Sequence, residues 1–290
     1  LLDEVSASLL RGRFALEARG SLFALRGENI AADPSRPLLG RPTPCVGREG
    51  ELGLLEGTLS SCIDESSPRA ILVTAAPGLG KSRLRHEFLR RVRQRHPEAE
   101  VWLGQCDPLS SGTSYGPLSR ILRTICHIQE GAPLEEKRAR LRERLSQHID
   151  KAAAAHVCEL LGELCGVPFA AEHNLKLRAA RQDPRLMADL VLQALLCLLR
   201  GECSRAPLVL VLEDLQWCDS LTVKVLGAAL TQLVDAPLCV LALARPELHA
   251  TFPQLWRGVV QVIPLRPLSR KAAERLVQQF LGQAASPTLQ

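Results

Sequence analysis

Ala70-Ile71-Leu72-Val73-Thr74-Ala75-Ala76-Pro77-Gly78-Leu79-Gly80-Lys81-Ser82 is the stretch on which the reading of the whole chain turns. Residues 70–74 form an apolar run with the look of a buried strand, and Lys81 opens a basic stretch of helical period that continues to about Gln94. A glycine-rich turn lies between them. Strand, loop and helix in that order are the context a phosphate-binding loop requires. Gly78 and Gly80 let the backbone curl so that successive N–H groups point inward, and the helix N-terminus adds the positive end of its dipole. Lys81 then reaches the β- and γ-phosphates of a nucleotide such as ATP, and the Ser82 hydroxyl ligates Mg2+. The usual loop begins with glycine where this one has Ala75, which is acceptable only if that position keeps a negative φ.

Further along, Leu208-Val209-Leu210-Val211-Leu212-Glu213-Asp214 follows Pro207. A continuous apolar run of this length reads as a strand buried on both faces of a parallel sheet. Acidic residues at its carboxyl end face the crevice where α/β proteins bind ligands, so Glu213 and Asp214 are placed to hold Mg2+ and orient an attacking water. The same pair also suits the cap of a following helix.

Outward from these two segments, residues 101–104, 238–244 and 259–264 read as strands, and residues 115–128 and 270–281 as helices. A helix also follows Gly47, with Leu52, Leu55 and Leu59 on one face, and residues 134–200 have helical period nearly throughout. The expected fold class is α/β, a P-loop fold with a parallel sheet flanked by helices, plus a helical insertion and a short α+β N-terminal tail. The tail comprises a helix over residues 1–10 and strands over 13–18 and 21–26. The expected organisation is therefore a tail at 1–28, a Pro- and Gly-rich linker at 29–44, the main domain at 45–283 and a polar end at 284–290. A start at Leu1 and a polar finish suggest a piece of a longer polypeptide.

Composition narrows the function classes. The 290 residues are 46% apolar but only 3% aromatic, so a core of Leu, Val, Ile and Ala is expected. The net charge of +5 is dispersed among acidic residues, and so few aromatics offer no stacking surface, so nucleic acid is not an implied partner. Ten cysteines occur without a CxxC pair, and Cys158, Cys165 and Cys197 fall in apolar helical patterns. They read as reduced core residues of a cytoplasmic protein. No run of eighteen apolar residues and no signal segment is present, so membrane insertion is not expected.

The acidic strand continues as Leu215-Gln216-Trp217-Cys218-Asp219, which resembles the Walker B region of the AAA-type signalling ATPases called STAND proteins. Residues 77–84 are similar to their Walker A, and Val46-Gly47-Arg48-Glu49 to the segment that packs on adenine. Leu243-Ala244-Arg245-Pro246-Glu247 is similar to their sensor 1 strand end. The resemblance implies that Val46, Gly47 and Arg48 flank the base, that Pro77, Gly78, Leu79, Gly80, Lys81, Ser82 and Arg83 cradle the phosphates, and that Arg245 senses the γ-phosphate. It gives Glu213 and Asp214, with Arg245, the catalytic roles, and Ser82, Glu213 and Asp214 the metal. Residues 1–28 resemble the end of a class III nucleotide cyclase domain. The implied partners are then neighbouring cyclase or kinase and helical-repeat domains, with a nucleotide-dependent homo-oligomer as a further expectation. The leading expectation is a regulatory ATPase using ATP and Mg2+ as a switch. Two other readings are a nucleotide clamp without turnover and a DNA-associated ATPase of the origin-recognition type.

Overall fold

The structure is a computed structural model that describes residues 2–10, 14–20, 22–28, 45–108, 112–170 and 174–281. The linker expected at 29–44 and the polar end at 284–290 lie outside the described residues. The tail is a helix, α1 (Glu4–Leu10), and an antiparallel hairpin of β1 (Phe14–Arg19) and β2 (Leu22–Glu28) turned at Gly20. The other elements are α2 (Glu49–Asp64), β3 (Arg69–Thr74), α3 (Lys81–Arg95), β4 (Glu100–Gln105), α4 (Gly116–Ile125), α5 (Leu134–His148), α6 (Lys151–Leu164), α7 (Leu175–Gln182), α8 (Pro184–Cys203), β5 (Leu208–Glu213), α9 (Ser220–Gln232), β6 (Leu238–Ala244), α10 (Leu248–Thr251), β7 (Val260–Pro264) and α11 (Arg270–Leu281). A 3-10 turn, Leu215–Trp217, joins β5 to α9.

Strands β3 to β7 form one parallel sheet in the order β4-β5-β6-β3-β7. Side chains alternate across a strand. In β5, Leu208, Leu210 and Leu212 therefore enter one apolar cluster, while Val209 and Val211 enter the cluster on the opposite face. β6 divides in the same way, with Leu238, Val240 and Ala242 on one side and Cys239, Leu241 and Leu243 on the other. Because both faces are covered there, β6 and residues 208–212 of β5 are apolar at every position, and each buried Leu or Val contributes roughly 1.5–3 kcal/mol. Helices α2 and α3 cover the second face with Leu52, Leu55, Leu59, Leu84 and Phe88. Helices α4 and α9 and the insertion α5–α8 cover the first.

The insertion is fastened to the amino end of β4 by a buried charged cluster. Arg144 on α5 places Nη2 2.9 Å from Glu202 Oε2 on α8 and pairs also with Glu100 on β4. His148 Nδ1 is 2.9 Å from the same Glu202 oxygen, and Trp102 Nε1 donates to Glu100 at 2.9 Å. A β-carbon on Gly201 would stand 1.9 Å from the His148 carbonyl oxygen, so α5 reaches α8 only because residue 201 is glycine. Burial raises the Glu202 carboxyl to about 7 and lowers the His148 imidazole below its ordinary value.

All ten cysteines are free thiols, and eight are buried. Burial pushes Cys62, Cys126, Cys165 and Cys203 up to about 12, which leaves little thiolate for chemistry near neutrality. No helix among the described residues is long and apolar enough to cross a membrane.

Candidate functional site

The glycine loop leaves β3 between β6 and β7 and emerges at the carboxyl end of the sheet. Its first residue prolongs the ladder: Ala75 N–H donates to the Ala244 carbonyl at 3.1 Å. That extended pairing keeps Ala75 out of the positive-φ residues, so a β-carbon is tolerated where the usual loop has glycine. Gly78 and Gly80 do take positive φ, +82° and +91°. A β-carbon on either would meet no atom within 4 Å, so backbone conformation rather than crowding requires glycine there. Gly80 is the N-cap of α3, which begins with half-buried Lys81 and exposed Ser82. Pro77 is exposed and Leu79 half-buried.

Lys81 Nζ donates to the loop carbonyls of Ala75 at 2.7 Å and Ala76 at 3.3 Å. Its pKa is lowered by burial first; the Arg245 charge adds to that, while Asp214 and Glu247 oppose it. The loop lysine, the acidic strand end and Arg245 therefore share one electrostatic neighbourhood, although they come from three separate parts of the chain.

The acidic pair divides. Arg85 on α3 lies with Nε 3.1 Å from Glu213 Oε1, and both side chains are largely buried. The contact is an ion pair without a directed hydrogen bond, because Arg85 Nε lacks a hydrogen-bond partner. Burial raises the Glu213 carboxyl, and the Asp214 charge adds to this; Arg85 and a hydrogen bond with Ser82 oppose it. Asp214 adopts φ +53°, a conformation Asp tolerates better than most residues. Its Oδ2 accepts from Gln105 Nε2 and its Oδ1 from Gln216 Nε2, both at 3.0 Å. A carboxylate can only accept, so the Gln216 NH2 must face it, and the Gln216 oxygen is then free to accept from Arg245 N–H at 3.0 Å. The Arg245 guanidinium lies over the Trp217 ring, 4.9 Å from its centroid. Asp214 stands at the N-cap position of the 3-10 turn, but its side chain accepts no backbone N–H there, which goes against the capping reading; the side-chain cap of α9 is Asp219, which accepts from Thr222 N–H at 2.9 Å.

Of the segment expected at the base, Val46 is buried and Gly47 takes φ +69°. A β-carbon on Gly47 would stand 2.5 Å from the Ala272 β-carbon, so this segment presses against α11. Arg48 is 7% exposed, and its hydrogen bonds go to protein: to Glu51 at 2.8 Å, to the Leu79 carbonyl at 3.0 Å and to the Arg266 carbonyl at 2.8 Å. It ties the glycine loop to the β7–α11 connection. Arg83 lies half-buried on the first turn of α3, close enough for its charge to act on the Cys45 thiol.

Sequence reasoning did not single out Gln105, Gln216 or Arg85. Gln105 ends the strand beside β5 in register with Glu213, so the strand-end rule that selected Glu213 would also have selected it. Arg85 is one helical turn beyond Ser82 on the face of α3 that meets the sheet. The donor set suits a hard cation: the Ser82 hydroxyl and the Asp214 carboxylate are oxygen donors, and Mg2+ needs only one or two carboxylates besides substrate phosphates. The two positive-φ glycines and Lys81 likewise fit a polyphosphate.

A family model described as AAA ATPase domain matches residues 44–241. A Rhizobium meliloti (strain 1021) protein described as uncharacterized is 28% identical over 206 residues, 70% of this chain and 19% of that protein. The chain thus spans less than a fifth of that relative. Among solved structures, the Aeropyrum pernix ORC1 protein in complex with DNA has a TM-score of 0.42 and 13% identity, over 82% of this chain and 51% of that one. Drosophila ORC bound to DNA has a TM-score of 0.42 and 14% identity, over 93% and 56%. The chain spans about half the length of each. The family match leaves out residues 1–43 and stops within β6, before Arg245.

Proposed function

Because the chain belongs to the AAA ATPase domain family, we propose that it is the ATP-binding regulatory module of a multidomain signalling protein of the STAND type, with binding and slow hydrolysis acting as a conformational switch. The observation that carries this reading is the convergence of Lys81, Asp214 and Arg245 beside a loop with two positive-φ glycines. When bound, Mg2+ and ATP supply the transferable phosphoryl group and a countercharge for it. The roles of the residues follow from their contacts. Lys81 exchanges the carbonyls of Ala75 and Ala76 for phosphate oxygens. Ser82 and Asp214 offer oxygens to the cation, and Asp214, held by two neutral amides, is placed to orient a water. Glu213 acts one step back, compensated by Arg85 and hydrogen-bonded to Ser82. Val46 and Gly47 line the base, Arg48 sets the loop through Leu79, and Arg245 answers to the terminal phosphate.

On this reading residues 45–283 are the ATPase domain, and residues 1–28 are the end of a cyclase-like domain, a likeness carried by sequence and compatible with the helix-and-hairpin form. Cyclase, kinase or helical-repeat neighbours, and a nucleotide-dependent homo-oligomer, are the partners it implies. A clamp without turnover is the second reading, favoured by the pairing of Glu213 with Arg85, which leaves Asp214 as the less compensated acid. Two variants test both. Lys81→Ala is expected to weaken a fluorescent ATP analogue by roughly 1.5–3 kcal/mol without changing the fold, and unchanged affinity removes the phosphate role. Asp214→Asn is expected to keep affinity while single-turnover hydrolysis falls roughly a hundredfold or more. Absence of turnover in the unaltered chain, monomeric or assembled, selects the clamp.

A further inference from the structure

Gln216 and Trp217 stand directly between the two charged groups on which the ATP reading depends. The Gln216 amide joins the Asp214 carboxylate to the Arg245 backbone, and the neighbouring indole holds the Arg245 guanidinium. We propose that Gln216 and Trp217 are positioning residues: the Trp217 indole is the resting seat from which the Arg245 guanidinium moves to the terminal phosphate, and Gln216 fixes the backbone from which it swings. The inference rests on the nucleotide reading above and gives it a local device.

Three features carry it. First, a guanidinium held 4.9 Å from the centroid of a half-buried indole remains exchangeable, because a cation–π contact is weaker than a buried ion pair. Second, Asp214 lies close by, yet each of its oxygens already accepts from an amide, which leaves Arg245 on the ring rather than locked to the acid. Third, the Arg245 charge already acts on Lys81, so the seat is within range of the loop that would hold the phosphates. Gln216 makes the link selective. If its acceptor oxygen were lost, the Arg245 N–H would lose its partner and the strand end would no longer move with Asp214.

The three tryptophans make the inference measurable. Trp102 and Trp256 are buried, with their indole N–H groups donated to Glu100 and to the Val223 carbonyl, whereas Trp217 is half-buried against a charge. Intrinsic emission of the whole chain is followed during titration with Mg2+ plus ATP and with Mg2+ plus ADP, and calorimetry reports binding independently. The expected result is an emission change with ATP that saturating ADP does not produce, absent from Trp217→Phe and from Arg245→Met. Arg245→Met should still bind ATP in the calorimeter, on the order of tenfold more weakly. Gln216→Leu should hold ADP affinity within about twofold and lose ATP affinity on the order of tenfold. Calorimetric ATP binding without an ATP-specific emission change overturns the seat, as does the same change persisting in Arg245→Met, and both leave the nucleotide reading standing. Binding of neither nucleotide to the unaltered chain overturns that reading and this inference together. Should Trp217→Phe not fold, Arg245→Met alone decides.

Discussion

The two ends of β4 place polar side chains in opposite circumstances. At the amino end, Glu100 joins Arg144, His148 and Glu202 in a cluster where Glu202 is 3% exposed and faces Arg144 and His148, which are charged or can become so. At the carboxyl end, Gln105 reaches Asp214 in the open, and neutral amides do the holding. Charges taken out of water lose more when a partner is removed than they gain by being paired, so the first cluster fixes the insertion in one place. Amides around an accessible carboxylate hold it gently and leave its charge for a ligand. One end of the strand is built to stay and the other to respond.

Substitution at each end puts this contrast under test. The largest effect is expected from Arg144→Met, which strands Glu202 and Glu100 without their shared cation; stability in urea should fall by about 3–5 kcal/mol. A loss below about 1 kcal/mol would erase the distinction between the two ends. Next comes pH. The folded Glu202 carboxyl stands at about 7 against an ordinary 4.5, so the folded chain binds more protons than the unfolded one across that window. Its contribution is intact below pH 4.5 and is lost as pH rises to about 7. His148 acts in reverse, because its folded value is lowered and stability therefore increases as pH climbs toward 6.5. Glu202 has the larger shift, so net stability is expected to drop by about 2 kcal/mol between pH 5 and pH 8. In Glu202→Gln the fall should shrink, leaving the rise from His148 set against the fall from Glu213, whose carboxyl burial also raises, and an unchanged pH profile in that variant contradicts the assignment. The smallest effect belongs to Gln105→Ala, with about 0.5 kcal/mol or less of stability at stake in thermal unfolding, since water replaces the lost amide.

The sheet was legible because both of its faces are buried: runs such as Leu208 to Leu212 have no polar face to confuse with a helix, and the observed strands differ from the expected ones by a residue or so. The glycine loop was legible because its geometry restricts which residues can occupy it. Ala75 was the doubtful position, and its answer lay in a partner distant in sequence, the Ala244 carbonyl. The amides of Gln105 and Gln216 were not legible, because an uncharged polar residue after a strand carries no signal of what it will face. The Glu202 cluster was hidden for the opposite reason: α8 is so apolar that its one deeply buried acid passed as the end of a hydrophobic pattern. Arg48 came into the reading through its neighbours Val46 and Gly47, yet its bonds run to the Leu79 and Arg266 carbonyls.

The close approach of Gly47 to Ala272 has a mechanical meaning. Ala272 lies near the start of α11, a twelve-residue helix about 18 Å long, and Arg48 binds the backbone just before that helix to the glycine loop. The contact is a fulcrum with most of the helix beyond it. About 13 Å of helix lies beyond Ala272, so a tilt of about 10° at Gly47 would carry the far end of α11 through about 2 Å, which turns a small adjustment of the loop into a larger displacement at the other end of the lever.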